Sequence, residues 1–210
     1  MRNLLGVIVL CTRAVSAEPL TIAALGDSLT QGYGLAPEQG LVPQLEVWLR
    51  AHGADVTLIN AGVSGDTTQG GLSRVAWTLT PDVDAMIVTL GGNDLLRGID
   101  PAVSKANLDG ILAAGQAQGV DMMIVGMTAP GNYGPDYKRD FDAIYPELAA
   151  KYGVLYTESL LAPLSGALDG GSTLRNYMQG DGIHPNAKGV ALIVEALGPR
   201  VVELIKQAEN

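Results

Sequence analysis

The chain has 210 residues, 47% of them hydrophobic and 17% charged, which is enough apolar material for one sizeable core and a single globular domain. A formal net charge of −9 speaks against nucleic acid or an anionic membrane surface as a partner. The sequence carries no run of like charges, no low-complexity segment and no internal repeat.

Residues 1–17 read as a secretory signal peptide. Arg2 gives a positive start, Leu4 to Cys11 is apolar, and Val15-Ser16-Ala17 ends on a small residue suited to cleavage. The apolar run is too short to span a bilayer as a helix. The expectation is therefore a periplasmic or secreted protein with one domain over 18–210. Cys11 is the only cysteine, so cleavage would leave a mature chain without disulfide or thiol chemistry.

Beyond Ala17, apolar runs alternate with helical patterns. Thr21 to Leu25 reads as the first strand, and an amphipathic helix runs from about Gly40 to His52. Val56 to Ile59 is the second strand, followed by a helix from Thr67 to Leu79 that Pro81 closes. Ala85 to Leu90 is the third strand. The next helix runs from Pro101, suited to a first turn, to Gln118, with Gly119 as its stop. Met122 to Met127 is the fourth strand, Thr128 to Pro135 a long loop, and Asp136 to Tyr152 a helix. Val154 to Tyr156 is a short fifth strand. Loop-rich sequence follows to Gly182, and the last helix spans Pro185 to Ala208.

Short strands separated by helices predict an α/β fold of three layers, a five-stranded parallel sheet with helices on both faces. With right-handed crossovers, the expected topology is flavodoxin-like, strand order 2-1-3-4-5. That order sets the ends of strands one and three side by side at the switch point, with the end of strand two next door.

Chemistry-bearing stretches fall at those strand ends. Gly26-Asp27-Ser28-Leu29 follows the first strand and puts a serine where open α/β sheets hold ligands. A serine beside an aspartate also fits a helix cap or turn. Asn60-Ala61-Gly62-Val63-Ser64-Gly65-Asp66-Thr67 follows the second strand. Gly65 lets the backbone approach a ligand closely, and Asp66 or Thr67 could equally cap the next helix. Gly91-Gly92-Asn93-Asp94 follows the third strand and offers an uncharged amide donor, or again a cap. In Asp181-Gly182-Ile183-His184-Pro185 the aspartate can fold back on the histidine, fix its tautomer and leave Nε2 as a base. A surface turn with an incidental histidine fits the same string. The other histidine, His52, reads as a solvated helix end.

Two distant histidines and no mature cysteine do not make a usual zinc set. The chain also lacks a phosphate-binding G-x-x-x-x-G-K-[ST] loop and the G-x-S-x-G nucleophile elbow.

Taken together, these blocks resemble the SGNH (GDSL) hydrolase family, in the family's own order and from Gly26 to the final helix. Ser-Gly-Asp-Thr-Thr and Gly-Gly-Asn-Asp-Leu-Leu-Arg-Gly look most like the bacterial periplasmic thioesterase I/lysophospholipase and arylesterase branch. The resemblance implies Ser28 as nucleophile, His184 as base and Asp181 as its orienting partner. It implies an oxyanion hole made of the Ser28 and Gly65 N–H groups and the Asn93 amide. No cofactor, no metal, a small ester or thioester as substrate and a monomer are expected with it.

For the walls of the site, loops near 66–78, 94–99, 129–140 and 170–180 offer Leu95, Leu96, Ile99, Tyr133, Tyr137, Leu174, Tyr177 and Met178. Asp27 beside the serine is a further expected contact. These side chains suit an acyl or aryl group better than a sugar. An O-deacetylase acting on polysaccharide or peptidoglycan with the same residues, and a binding module without catalysis, remain as alternatives at this point.

Overall fold

In the computed structural model, which describes residues 18–166 and 174–209, one sheet of parallel strands has the order β2-β1-β3-β4-β5. The strands are β1 Leu20–Gly26, β2 Val56–Gly62, β3 Ala85–Thr89, β4 Asp121–Val125 and β5 Leu155–Thr157. This is the flavodoxin-like order expected from the sequence. The signal peptide proposed for 1–17 lies outside the described residues.

The helices are α1 Ser28–Gln31, α2 Leu41–Ala51, α3 Thr68–Thr78, α4 Gly92–Leu96, α5 Pro101–Ala117, α6 Pro135–Tyr152, α7 Ala162–Gly166 and α8 Ala187–Ala208. β1, β3 and β4 are near-continuous apolar runs because both of their faces are covered. Successive side chains on a strand point to opposite faces, and the core divides accordingly. Ile22, Ala24, Ala85, Ile87, Met123 and Val125 pack with α2 and α8. Ala23, Leu25, Met86, Val88, Met122 and Ile124 pack with α3, α5 and α6.

Several boundaries differ from the sequence expectation, and each difference shapes the site. β2 continues three residues past Ile59 because its backbone pairs with β1 as far as Gly26↔Gly62. β4 stops at Val125, and Gly126 instead donates to Thr157 O across 2.7 Å. A Cβ on Gly126 would stand 2.5 Å from Glu158 O, so only a glycine permits this crossing, and Met127, expected in the strand, lies beyond its end. β5 is shifted one residue, to Leu155–Thr157. The last helix starts after Pro185. Asn186 caps it, its side-chain oxygen accepting from Lys188 N and Gly189 N.

α1 and α4 are single turns that the sequence pattern did not reveal, and they begin two and three residues after the ends of β1 and β3. Each is too short for a hydrophobic period to show.

Candidate active site

β1 ends at Gly26, and Asp27 caps the single turn of α1 by accepting from Leu29 N at 3.0 Å. Ser28 is therefore the first residue of a helical turn at the carboxyl edge of the sheet, and it is largely buried. The loop that carries His184 reaches it from the far end of the chain. Asp181 Oδ1 accepts the backbone N–H groups of Ile183 at 2.9 Å and His184 at 3.0 Å, and Gly182, at φ +68°, makes the tight turn possible. Asp181 Oδ2 lies 2.6 Å from His184 Nδ1, and His184 Nε2 lies 2.8 Å from Ser28 Oγ.

The tautomer follows from the partners. A carboxylate only accepts, so Nδ1 carries the proton and Nε2 accepts from the serine hydroxyl. The hydrogen bond to His184 and two backbone N–H groups hold the Asp181 carboxyl down at about 2. The Tyr33 ring tilts against the imidazole with centroids 4.8 Å apart.

Gly65 turns at φ +80°, in a bend closed by Asp66 N donating to Val63 O at 3.1 Å. Arg97 Nη2 donates to Gly65 O at 2.7 Å. Asn93 is in α4, and its amide nitrogen donates to Asp66 O at 2.9 Å and faces Asp27 Oδ2 at 3.4 Å. Gly91, at φ +120°, makes the turn into α4. A Cβ there would lie 2.1 Å from the Tyr145 hydroxyl, so the position requires glycine on both counts.

The expected residues Asp27, Ser28, Gly65, Asn93 and His184 line one cavity of about 390 Å³. Leu95 and Leu96 line it too, as expected. Leu29, Ser64 and Gly92, from the same chemistry-bearing stretches, also line it, as do Met127, Thr128, Ser159, Leu161 and Ile183, and these last five were not anticipated as wall residues. Met127 and Ser159 follow the ends of β4 and β5, and position after a strand end is the one signal that could have marked them.

Tyr133, Tyr177 and Met178, expected as wall residues, do not line the cavity. The Tyr133 ring covers Gly98, and its hydroxyl reaches Leu96 O at 3.4 Å, so it props the loop after α4 from outside. Tyr177 and Met178 are bound to the start of the last helix. Tyr177 O accepts from Asn186 N at 2.8 Å, and Met178 bridges to Pro185. Both pack on the α8 side of the core, buttressing the histidine loop from behind. Ile99 and Tyr137 bond each other outside the cavity, Tyr137 hydroxyl donating to Ile99 O at 3.0 Å, and Leu174 lies at the surface.

Asp27 is 2% exposed, and burial pushes its carboxyl up to about 6 against the hydrogen bond from Leu29. Asp94, next to Asn93, is fully buried and accepts Thr68 N at 2.8 Å, Thr68 Oγ at 2.5 Å and Ser104 Oγ at 3.0 Å. It pins α4 to α3 and α5.

A carboxylate, an imidazole and a serine hydroxyl in series, beside neutral donors, can make an alkoxide equivalent and hold the oxygen that turns negative when it attacks a carbonyl. The GDSL-like Lipase/Acylhydrolase family profile matches residues 24–192.

The chain belongs to this family.

Among its relatives, esterase TesA of Pseudomonas aeruginosa is 35% identical over 199 residues, covering 94% of each chain. Thioesterase 1/protease 1/lysophospholipase L1 of Escherichia coli is 32% identical over 205 residues, covering 94% of this chain and 90% of that one. The crystal structure of AlinE4, an SGNH-hydrolase family esterase, superposes with a TM-score of 0.70 at 42% identity, covering 89% of this chain and 97% of that one. As an SGNH hydrolase, the protein is a carboxylic ester hydrolase.

Proposed function

We propose that the protein cleaves short- to medium-chain acyl or aryl esters, and acyl thioesters, through an acyl-enzyme on Ser28. The observation that carries this is the unbroken series Asp181 Oδ2, His184 Nδ1, His184 Nε2 and Ser28 Oγ, at 2.6 Å and 2.8 Å, opening on a cavity walled largely by Leu29, Leu95, Leu96, Met127, Leu161 and Ile183.

The chemistry follows from the groups. As Ser28 Oγ attacks the carbonyl carbon, His184 Nε2 takes its proton, and Asp181 stabilises the imidazolium. The carbonyl oxygen becomes an anion in reach of the Ser28 and Gly65 N–H groups and the Asn93 amide. Donors of this kind contribute roughly 3 kcal/mol each to the transition state. His184 then returns the proton to the leaving alcohol or thiol. Water, activated by the same imidazole, releases the acid and restores Ser28.

Turnover of a p-nitrophenyl ester chain-length series by the purified protein tests this, with Ser28→Ala expected to lose on the order of 10⁴-fold or more. Wild-type turnover in that variant, or no labelling of Ser28 by a fluorophosphonate in the unsubstituted protein, would overturn it. The apolar cavity walls favour acyl and aryl groups over acetylated glycans. Acetyl release from such glycans, measured in parallel, separates the two substrate classes. We further propose export, on the pattern of residues 1–17, and the mature N-terminus read by mass spectrometry checks it. Among the described residues no helix is long and apolar enough to cross a membrane.

A further inference from the structure

We propose that Arg74 is a positioning residue for the Asn93 amide. This rests on the reading of Asn93 as an oxyanion donor. Arg74 lies on α3, and only 21% of its side chain is exposed. Its guanidinium is anchored to the sheet by two carbonyls at strand ends, Nη2 donating to Gly26 O at 2.8 Å and Nη1 to Ala61 O at 2.6 Å. Its remaining edge holds the next loop, with Nε donating to Asp66 Oδ2 at 2.7 Å. Asp66 in turn holds Asn93, because its backbone carbonyl accepts the Asn93 amide at 2.9 Å.

The path from the sheet to the donor is therefore Arg74, Asp66, Asn93. A guanidinium suits the first position because its planar set of N–H groups can serve two carbonyls and a carboxylate together, which a lysine ammonium on a flexible stem cannot reproduce. An amide aimed by a fixed carbonyl meets a developing oxyanion without reorganising, and that is where such donors gain their effect.

Gly70 supplies a second, independent observation. It is a helical residue of α3 with an ordinary φ, yet a Cβ there would fall 1.6 Å from Asp66 Oδ1. The absent side chain is the seat of the Asp66 carboxylate. Gly70 stands in the first turn of α3 at an ordinary φ, so no backbone requirement explains a glycine there.

The test is a set of variants assayed on p-nitrophenyl butyrate, with thermal unfolding recorded for each. Arg74→Met and Gly70→Ala are each expected to lower kcat by roughly 10-fold or more, with KM moving less than about 2-fold, because both release Asp66 and neither touches substrate. Arg74→Lys restores less than half of the loss. In an Asn93→Ala background the same substitutions are expected to cost less than about 2-fold, since residues acting through one group are not additive. Should Arg74→Met fail to fold, Gly70→Ala decides alone. Undiminished kcat in folded Arg74→Met or in Gly70→Ala overturns the proposal, as does a full effect that persists without the Asn93 amide. If Asn93→Ala itself keeps wild-type kcat, the oxyanion reading fails and this proposal falls with it.

Discussion

Asp94 and Thr68, 26 positions apart, meet in the interior, the Asp94 carboxylate accepting both the Thr68 N–H and its hydroxyl. Ser104 adds a third bond to Asp94, and Asn107 donates to the Thr68 hydroxyl. The charge is buried but well satisfied, and removing it strands several donors at once. Asp94→Ala is expected to destabilise the fold by about 3 kcal/mol or more. Urea unfolding measures it. A loss of less than about 1 kcal/mol would mean that water replaces the carboxylate.

Asn93 is uncharged and sits at the cavity wall, its amide held by Asp66 O. Losing an interaction made only with the transition state lowers kcat and kcat/KM together. Asn93→Ala should therefore reduce kcat by roughly 10²–10³-fold with KM little changed. Steady-state kinetics on a single ester settle it, and a change confined to KM would make Asn93 a ground-state binding contact.

Asp181→Asn keeps the size of the side chain but turns one of its two oxygens, and with it one of the acceptors facing His184, into an NH₂ group. The imidazole then loses its orienting partner, and kcat should fall roughly 10²–10⁴-fold. Because its bond to His184 keeps the wild-type carboxyl near 2, it stays ionised at pH 5 as at pH 8. Steady-state kinetics at pH 8 measure the loss, and a variant within about 2-fold of wild-type kcat would remove Asp181 from the orienting role.

Asp27 has the opposite shift. Burial raises it from 3.8 to about 6, so the folded state holds its proton more tightly than the unfolded chain. Its contribution to stability is complete below about pH 3.8 and is lost as pH rises through about 6. Integrated over that window, the loss is about 3 kcal/mol. An asparagine at 27 does not titrate, so Asp27→Asn should gain on the wild type by most of that amount, roughly 2 kcal/mol, between pH 4 and pH 8. Any constant cost of the amide cancels from the difference. Chemical unfolding at the two pH values gives the answer, and a pH-independent gap would place the ionised carboxylate in a better-solvated site than the 2% exposure indicates.

Much of the fold was legible because its signals are local. The apolar runs of β1, β3 and β4, broken by helical periods and by Pro and Gly at the right ends, point to a parallel sheet, while the order β2-β1-β3-β4-β5 was an expectation that the structure bears out. The candidate site was legible for a related reason. Ser28, Gly65 and Asn93 each follow a strand end by a few residues, and Asp181 and His184 share one short turn, so each carries its own neighbourhood in the sequence.

What the sequence alone determined was the α/β order, the composition of the chemical groups and the loops that hold them. Only the folded chain decided which groups touch: Ser28 and His184 across 156 positions, Arg74 with three separate segments, Asp27 out of water, and Tyr133, Tyr177 and Met178 behind the site rather than in its wall. The physical reason is that a strand or a turn is specified by the torsions and polarity of adjacent residues. The direction of a loop side chain and the dielectric around a carboxylate depend on what distant segments leave for them to occupy.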